Sequence, residues 1–138
     1  MEWPSILVSV VLMVGCASSS STIIGVARSP RGPGCDLMLI SASDVYPGAR
    51  YANDYEFVGT VSVTASKPGA QATDPEVKTE VRTRVCEMGG ELIALIKTTE
   101  LRGLAPATTQ GSQASVEMGQ ELVFAVYAKK LITAPQKY

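Results

Sequence analysis

The chain has 138 residues, 46% of them hydrophobic and 18% charged, which predicts one folded domain and excludes a largely disordered chain. Its 12 basic and 13 acidic residues nearly balance and do not cluster by sign, so no nucleic-acid partner is predicted. The sequence contains no histidine, which excludes Ser-His and Cys-His nucleophile pairs and removes the commonest metal ligand. We therefore predict no enzyme, and no catalytic residue, cofactor or metal site.

Residues 1–15 are predicted to be a signal peptide. The apolar run Ile6–Val14 is too short to span a bilayer as a helix and has the length of a signal-peptide core. It ends in Met13-Val14-Gly15-Cys16, which resembles a bacterial lipobox, where the signal is cleaved before the Cys and the thiol is acylated. The Ser-rich residues after Cys16 favour lipidation over the alternative, an ordinary secretory signal with an incidental Cys.

Lipidation of Cys16 would define where the protein resides. A diacyl anchor of the palmitate type carries two chains, which hold a protein at a membrane where a single chain does not. Ala17 stands where an inner-membrane retention signal of the enteric type has Asp. The motif therefore implies a lipoprotein of the cell envelope, at the outer membrane and facing the periplasm.

The remaining chain is predicted to divide into a tether, a domain and a tail. Residues 16–34 are predicted to be the lipidated Cys and a flexible tether, because they are rich in Ser, Pro and Gly. An α+β globular domain is predicted over residues 35–133, followed by a loose tail over 134–138. The first strand of the domain is predicted at Cys35–Ile40, and Ser43–Asp54 is predicted to be a loop with turn residues.

A second strand is predicted at Tyr55–Ala65. Its residues alternate between apolar and polar side chains, with Val58 as the exception, so the strand has one buried face. Gly59 inside this strand predicts a bulge or a close approach of another backbone. The strand ends at Lys67, which is followed by Pro and Gly.

The strongest predicted helix begins after Asp74, a residue type that caps helices, with Pro75 at the first helical position. Gly89 and Gly90 provide the left-handed exit that ends helices. Four apolar residues of this segment recur at helical spacing and form one stripe. They are Val77, Val81, Val85 and Met88.

Two further strands are predicted after the helix. Leu92–Ile96 is apolar at every position, which is typical of a strand inside a covered sheet. Residues 100–120 show no periodicity and are predicted to be a long loop, which in so small a domain is a candidate partner-binding element. Glu121–Leu131 is the last predicted strand. The order β-β-α-β-β predicts an α+β fold, a small sheet with one helix packed on one face.

The three cysteines leave one predicted pair. If Cys16 carries lipid, Cys35 and Cys86 remain, and both would reside in an oxidising compartment. A disulfide bond between them would contribute roughly 4 kcal/mol in the loop-entropy model. Cys86 lies at the flank of the apolar stripe, so two buried or free thiols are the alternative.

Three clusters are candidate sites, each with a plainer alternative. Carboxylates in or near one loop suit a hard cation such as Ca²⁺, although a solvated loop explains them as well; they are Asp44, Asp54 and Glu56. Aromatic rings in the same region suit a partner surface or packing over the sheet edge; they are Tyr46, Tyr51 and Tyr55. The basic side chains of the predicted helix are Lys78, Arg82 and Arg84. They either form a basic patch or belong to a solvated face on which Glu76, Glu80 and Glu87 balance their charge.

Three motifs in a fixed order carry a family resemblance. They are GCDLM at Gly34–Met38, YEFVGTV at Tyr55–Val61 and RTRVCEMGGELI at Arg82–Ile93. The chain resembles the small bacterial lipoproteins classed as a domain of unknown function and is remotely similar to the outer-membrane stress-sensor lipoprotein of the Rcs phosphorelay. The resemblance covers roughly Cys35–Tyr127 and implies a fold and a place in the envelope more than an activity.

The function expected from the sequence is that of a lipid-anchored cell-envelope protein acting as a binding or sensing module. Its partners would be the membrane, through the lipid, and another envelope protein. The alternative is a periplasmic or secreted domain that binds a small ligand or a metal.

Overall fold

The computed structural model describes residues 17–25, 27–106 and 113–130, which form one mixed sheet with a helix on one face. The elements are β1 (Ser18–Ile23), β2 (Met38–Ile40), β3 (Tyr55–Ala65), α1 (Pro75–Met88), β4 (Leu92–Pro106) and β5 (Gln113–Lys129), with a short 3-10 helix at Ala42–Val45. The strand order across the sheet is β1-β3-β5-β4-β2. Among the described strands, the β2–β4 pair is parallel and the other three pairs are antiparallel. The predicted α+β class is confirmed, with one strand more than predicted.

The additional strand, β1, lies inside the segment predicted to be a flexible tether. Ser18–Ile23 pairs antiparallel with β3 along its whole length, with Ser18 opposite Thr64 and Ile23 opposite Gly59. The tether prediction is therefore wrong for these residues. A run of serines has no apolar alternation, and β1 belongs to the sheet through its backbone hydrogen bonds as an edge strand. The predicted signal peptide and Cys16 lie outside the described residues, as does the predicted tail.

The residues that follow β1 also stay on the domain, at the C-terminal end of α1. The backbone N–H of Arg31 donates to the Cys86 carbonyl at 2.8 Å, and its Nη1 donates to the Gly90 carbonyl at 2.7 Å. Arg28 pairs with Glu56 and its side chain is only 6% exposed. Positive charge is favourable at this end of a helix, where the last carbonyls lack helical partners.

The core lies between α1 and the sheet. The predicted apolar stripe of α1 is buried at all four positions. It packs on alternate residues of the central strands, which share the helix side of the sheet because side chains alternate along a strand. These residues are Val61, Val63 and Ala65 of β3, Leu122, Phe124 and Val126 of β5, and Ile93 of β4.

β3 has the predicted bounds and the predicted irregularity. The pairing with β5 shifts register between Phe57 and Gly59, so Val58 has no partner across the strands. This bulge explains why Val58 interrupts the alternation and yet is fully buried. A Cβ on Gly59 would collide with the Thr22 carbonyl of β1 and with Met88 of α1, which confirms the predicted close approach.

The helix has the predicted start and end. Asp74 occupies the N-cap position, but its carboxylate accepts from the Gln71 backbone N–H at 2.8 Å and makes no bond to the helix itself. Gly89 adopts φ 76°, the left-handed conformation that ends α1. The described part of the chain has no helix that is both long and apolar enough to cross a membrane.

The predicted long loop over residues 100–120 is wrong where the structure describes it. β4 continues to Pro106 and β5 begins at Gln113, and the two pair with each other throughout. β3 stops pairing at Ala65, so the outer part of this hairpin pairs with no third strand among those that the structure describes. Backbone pairing alone leaves no period-two alternation in the sequence to reveal a strand.

Candidate functional site

The helix covers only part of its side of the sheet. α1 packs mainly against β1 and β3 at one edge, while β2 and β4 lie at the other. A cleft of about 280 Å³ opens between α1 and these two strands. This volume lies just below the usual range for small-molecule sites.

The cleft has an apolar floor. Parallel pairing sets Leu39 of β2 beside Ile93 of β4, so both side chains share the helix side of the sheet. Phe124 of β5 and Leu37 complete the floor, and Val81 of α1 forms the facing wall. Leu39 keeps 49% of its surface exposed, because no helix covers it.

Two cations of α1 stand at the rim of the cleft. Lys78 and Arg82 are one helical turn apart, line the cleft and are exposed. Among the described residues neither side chain has an ion-pair or hydrogen-bond partner. Arg84, the third cation of the predicted spot, lies elsewhere, because its Nε donates to Ser19 Oγ at 3.0 Å.

The basic and acidic side chains of α1 are therefore unevenly placed around the cleft. Glu80 accepts from Ser19 Oγ at 2.6 Å, on the β1 side of α1. Glu87 lies 3.8 Å from Arg84. Both carboxylates are occupied away from the cleft, and none of the described residues that line it is acidic.

Two neighbouring hollows extend the cleft. One of about 510 Å³ shares Lys78 and Arg82 and is otherwise lined by Gly34, Pro75, Thr79 and Thr83. The other, of about 310 Å³, shares Ala72 and Thr73 and continues over Leu95 of β4. The cations thus separate a polar hollow at the outer surface from an apolar trough along the sheet.

The predicted cysteine pair holds the walls of the cleft together. The sulfur atoms of Cys35 and Cys86 lie at disulfide-bonding distance, with their Cα atoms 5.9 Å apart, in agreement with the predicted bond. Cys86 is 2% exposed, although helical spacing places it at the flank of the apolar stripe. The bond attaches the chain just before Leu37, in the floor, to α1, in the facing wall.

The structure does not bring the predicted carboxylates together. Asp44 accepts from the Ser41 backbone N–H at 3.2 Å, and Glu56 pairs with Arg28. Within residues 17–25, 27–106 and 113–130, no three His, Cys, Asp or Glu side chains are grouped so that they could hold a metal ion.

The predicted tyrosines divide into packed and exposed rings. Tyr51 packs edge-on against Tyr55 with ring centres 5.5 Å apart, and its hydroxyl donates to Met38 Sδ at 3.3 Å. Tyr46 is 62% exposed. Tyr127, which sequence reasoning missed, packs against Phe57 on the sheet face opposite α1.

Burial raises the pKa of the Tyr127 hydroxyl above its ordinary value, and the nearby Tyr46 hydroxyl raises that pKa further. The sequence signal that could have located Tyr127 is the alternation of side chains between the two faces of β5. This alternation predicts which residues of β5 face away from α1.

Cys16 lies outside the described residues, so its lipidation stays a prediction. Comparison of the chain with protein-family models, curated proteins and solved structures finds no match, and the family resemblance also stays a prediction.

Proposed function

We propose that this chain is a lipid-anchored binding module of the cell envelope and that the cleft beside α1 is its binding site. The observation that carries the proposal is the combination of an exposed apolar floor at Leu39 with two cations, Lys78 and Arg82, that have no partner among the described residues. Apolar walls with a few convergent polar groups are typical of small-molecule sites. The absence of histidine from the sequence favours binding over catalysis.

The start of β1 supports a specific placement at the membrane. β1 begins at Ser18, two residues after the predicted acylated Cys16. Two extended residues span about 7 Å. An acyl chain on Cys16 would therefore hold the domain directly against the membrane and not at the end of a long tether.

Fractionation of cells that express the full chain tests the anchor. We expect the chain to sediment with bacterial outer membranes and the Cys16→Ser variant to leave that fraction. If both proteins distribute in the same way, the lipid anchor is wrong, and an unanchored periplasmic or secreted ligand-binding domain becomes the better account. That alternative would use the same cleft, whose cations suit an organic anion and repel a metal cation.

Contact with another envelope protein is a second candidate function. It is favoured by exposed apolar or aromatic side chains on or beside the sheet face opposite α1. They are Met38, Tyr46 and Phe57. A photocrosslinking residue at position 46 should capture one reproducible envelope protein, whereas the same residue at position 76 on α1 should not. Equal capture at both positions would count against this second function.

A further inference from the structure

We infer that the cleft binds a medium-chain carboxylate, with the alkyl chain on the apolar floor and the carboxylate between Lys78 and Arg82. The inference rests on the proposed function only in taking the cleft as the binding site. It requires no lipid on Cys16, so the two can fail separately.

The floor of the cleft accounts for the alkyl chain. Its volume of about 280 Å³ corresponds to about ten non-hydrogen atoms if each takes roughly the 30 Å³ that a water occupies in the liquid. Covering the half-exposed Leu39 side chain removes apolar surface from water, which is favourable in proportion to the area buried. A single alkyl chain of about eight carbons fills this volume without entering the neighbouring hollows.

The rim accounts for the carboxylate. Hydrogen bonds between cations and a carboxylate are stronger than neutral ones, and a guanidinium offers two parallel donors to it. The neighbouring hydroxyls are already committed, because Thr79 Oγ1 donates to the Pro75 carbonyl and Thr83 Oγ1 donates to the Thr79 carbonyl. Among the described residues of α1 that line the cleft and the polar hollow, Lys78 and Arg82 are thus the donors without a partner.

The disulfide bond supports a preformed cleft. It joins the segment before Leu37 to Cys86 of α1, and so limits how far the floor and the facing wall can separate. A preformed site avoids part of the ordering cost of binding.

Three probes separate the contributions of chain and charge. Octanoate and octanamide have the same size but differ in charge, and acetate has the charge without the chain. The test uses the full chain as extracted from membranes, in discs of zwitterionic lipid, with empty discs subtracted, and isothermal titration calorimetry. We expect octanoate to bind about ten- to hundredfold more tightly than octanamide, and acetate to give no measurable binding.

Two matched pairs of variants locate the binding. The double variant K78Q/R82Q should reduce octanoate affinity to that of octanamide, while K97Q/K130Q, which removes the same charge at exposed lysines outside the cleft, should not. Leu39→Gln should weaken both ligands. Its control is Ile96→Gln, since Ile96 is 50% exposed and does not line the cleft. Circular dichroism confirms that each variant is folded.

Equal affinities for octanoate and octanamide, or equal losses from the site and control variants, would overturn the inference. A leucine-terminated peptide that displaces octanoate at lower concentration would also overturn it, in favour of a protein C-terminus. If octanoate binds and Cys16 carries no lipid, the inference stands and the proposed anchor is wrong. If Cys16 carries lipid and octanoate does not bind, the anchor stands and the inference is wrong.

Discussion

The Ser19 Oγ donates to Glu80 Oε2 at 2.6 Å and thereby joins the edge strand β1 to α1. The same oxygen accepts from Arg84 Nε at 3.0 Å. Ser19 faces the helix side of the sheet, because it lies opposite Val63 of the core. The Ser19 hydroxyl therefore bonds β1, whose sequence has no apolar periodicity, to one acidic and one basic side chain of α1.

Ser19→Ala should lower the free energy of unfolding by about 1 kcal/mol, because it removes hydrogen bonds to two charged groups. Ser20→Ala is the matched control, since Ser20 is exposed and lies on the other face of β1, opposite Ser62. Urea denaturation measures both variants. Equal stabilities would show that β1 does not depend on this contact.

Loss of the Cys35–Cys86 bond should cost roughly 4 kcal/mol, as the bond closes a loop of 51 residues. Urea denaturation with and without reductant measures the effect on the native sequence. In the double variant Cys35→Ala/Cys86→Ala, the reductant should make no difference. A native chain that is insensitive to the reductant would contradict the presence of the bond.

Gly59→Ala should destabilise the domain by about 1–3 kcal/mol, since the added methyl group collides with the Thr22 carbonyl and pushes β1 from the sheet. Gly32→Ala is the control, because a Cβ at position 32 meets no atom within 4 Å. Thermal unfolding compares the two. If Gly59→Ala unfolds at the temperature of the control, β1 does not lie where the register places it.

The pair of Arg28 and Glu56 should respond unequally to mutation. Within the described residues, the buried Nε and Nη1 atoms of Arg28 have no hydrogen-bond partner. Glu56→Gln leaves that cation buried and should cost about 1–3 kcal/mol. Arg28→Met removes the unpaired donors together with the charge and should cost less. Chemical denaturation giving the reverse order would show that the Arg28 guanidinium is satisfied.

The stability of the domain should fall at alkaline pH because of Tyr127. Its pKa is raised in the folded state, so its contribution is fully present below the unfolded value of about 10 and is lost as pH rises above it. Absorbance titration of the tyrosines should show a late phenol that Tyr127→Phe removes. Melting temperatures of Tyr127→Phe should then decline less steeply above pH 10 than those of the native chain. The prediction is wrong if the late phenol survives the substitution.

The elements with strong local signals could be predicted from the sequence. The caps and apolar stripe of α1, and the alternation of β3 with its exception at Val58, appear in the structure with the predicted bounds. β1 and the outer hairpin could not be predicted, because they join the sheet through backbone pairing and their sequences carry no apolar alternation. The cleft could not be predicted from the sequence either. It depends on the parallel pairing of β2 with β4, which brings Leu39 opposite α1 and beside Lys78 and Arg82.

The intact mass of the chain extracted from bacterial membranes, before and after reduction and alkylation, tests the proposed lipid-anchored module most directly. We expect cleavage before Cys16, a diacyl or triacyl addition on that residue, and alkylation of Cys35 and Cys86 only after reduction. A chain without lipid and with both thiols free would contradict the anchor and the bond that holds the cleft together.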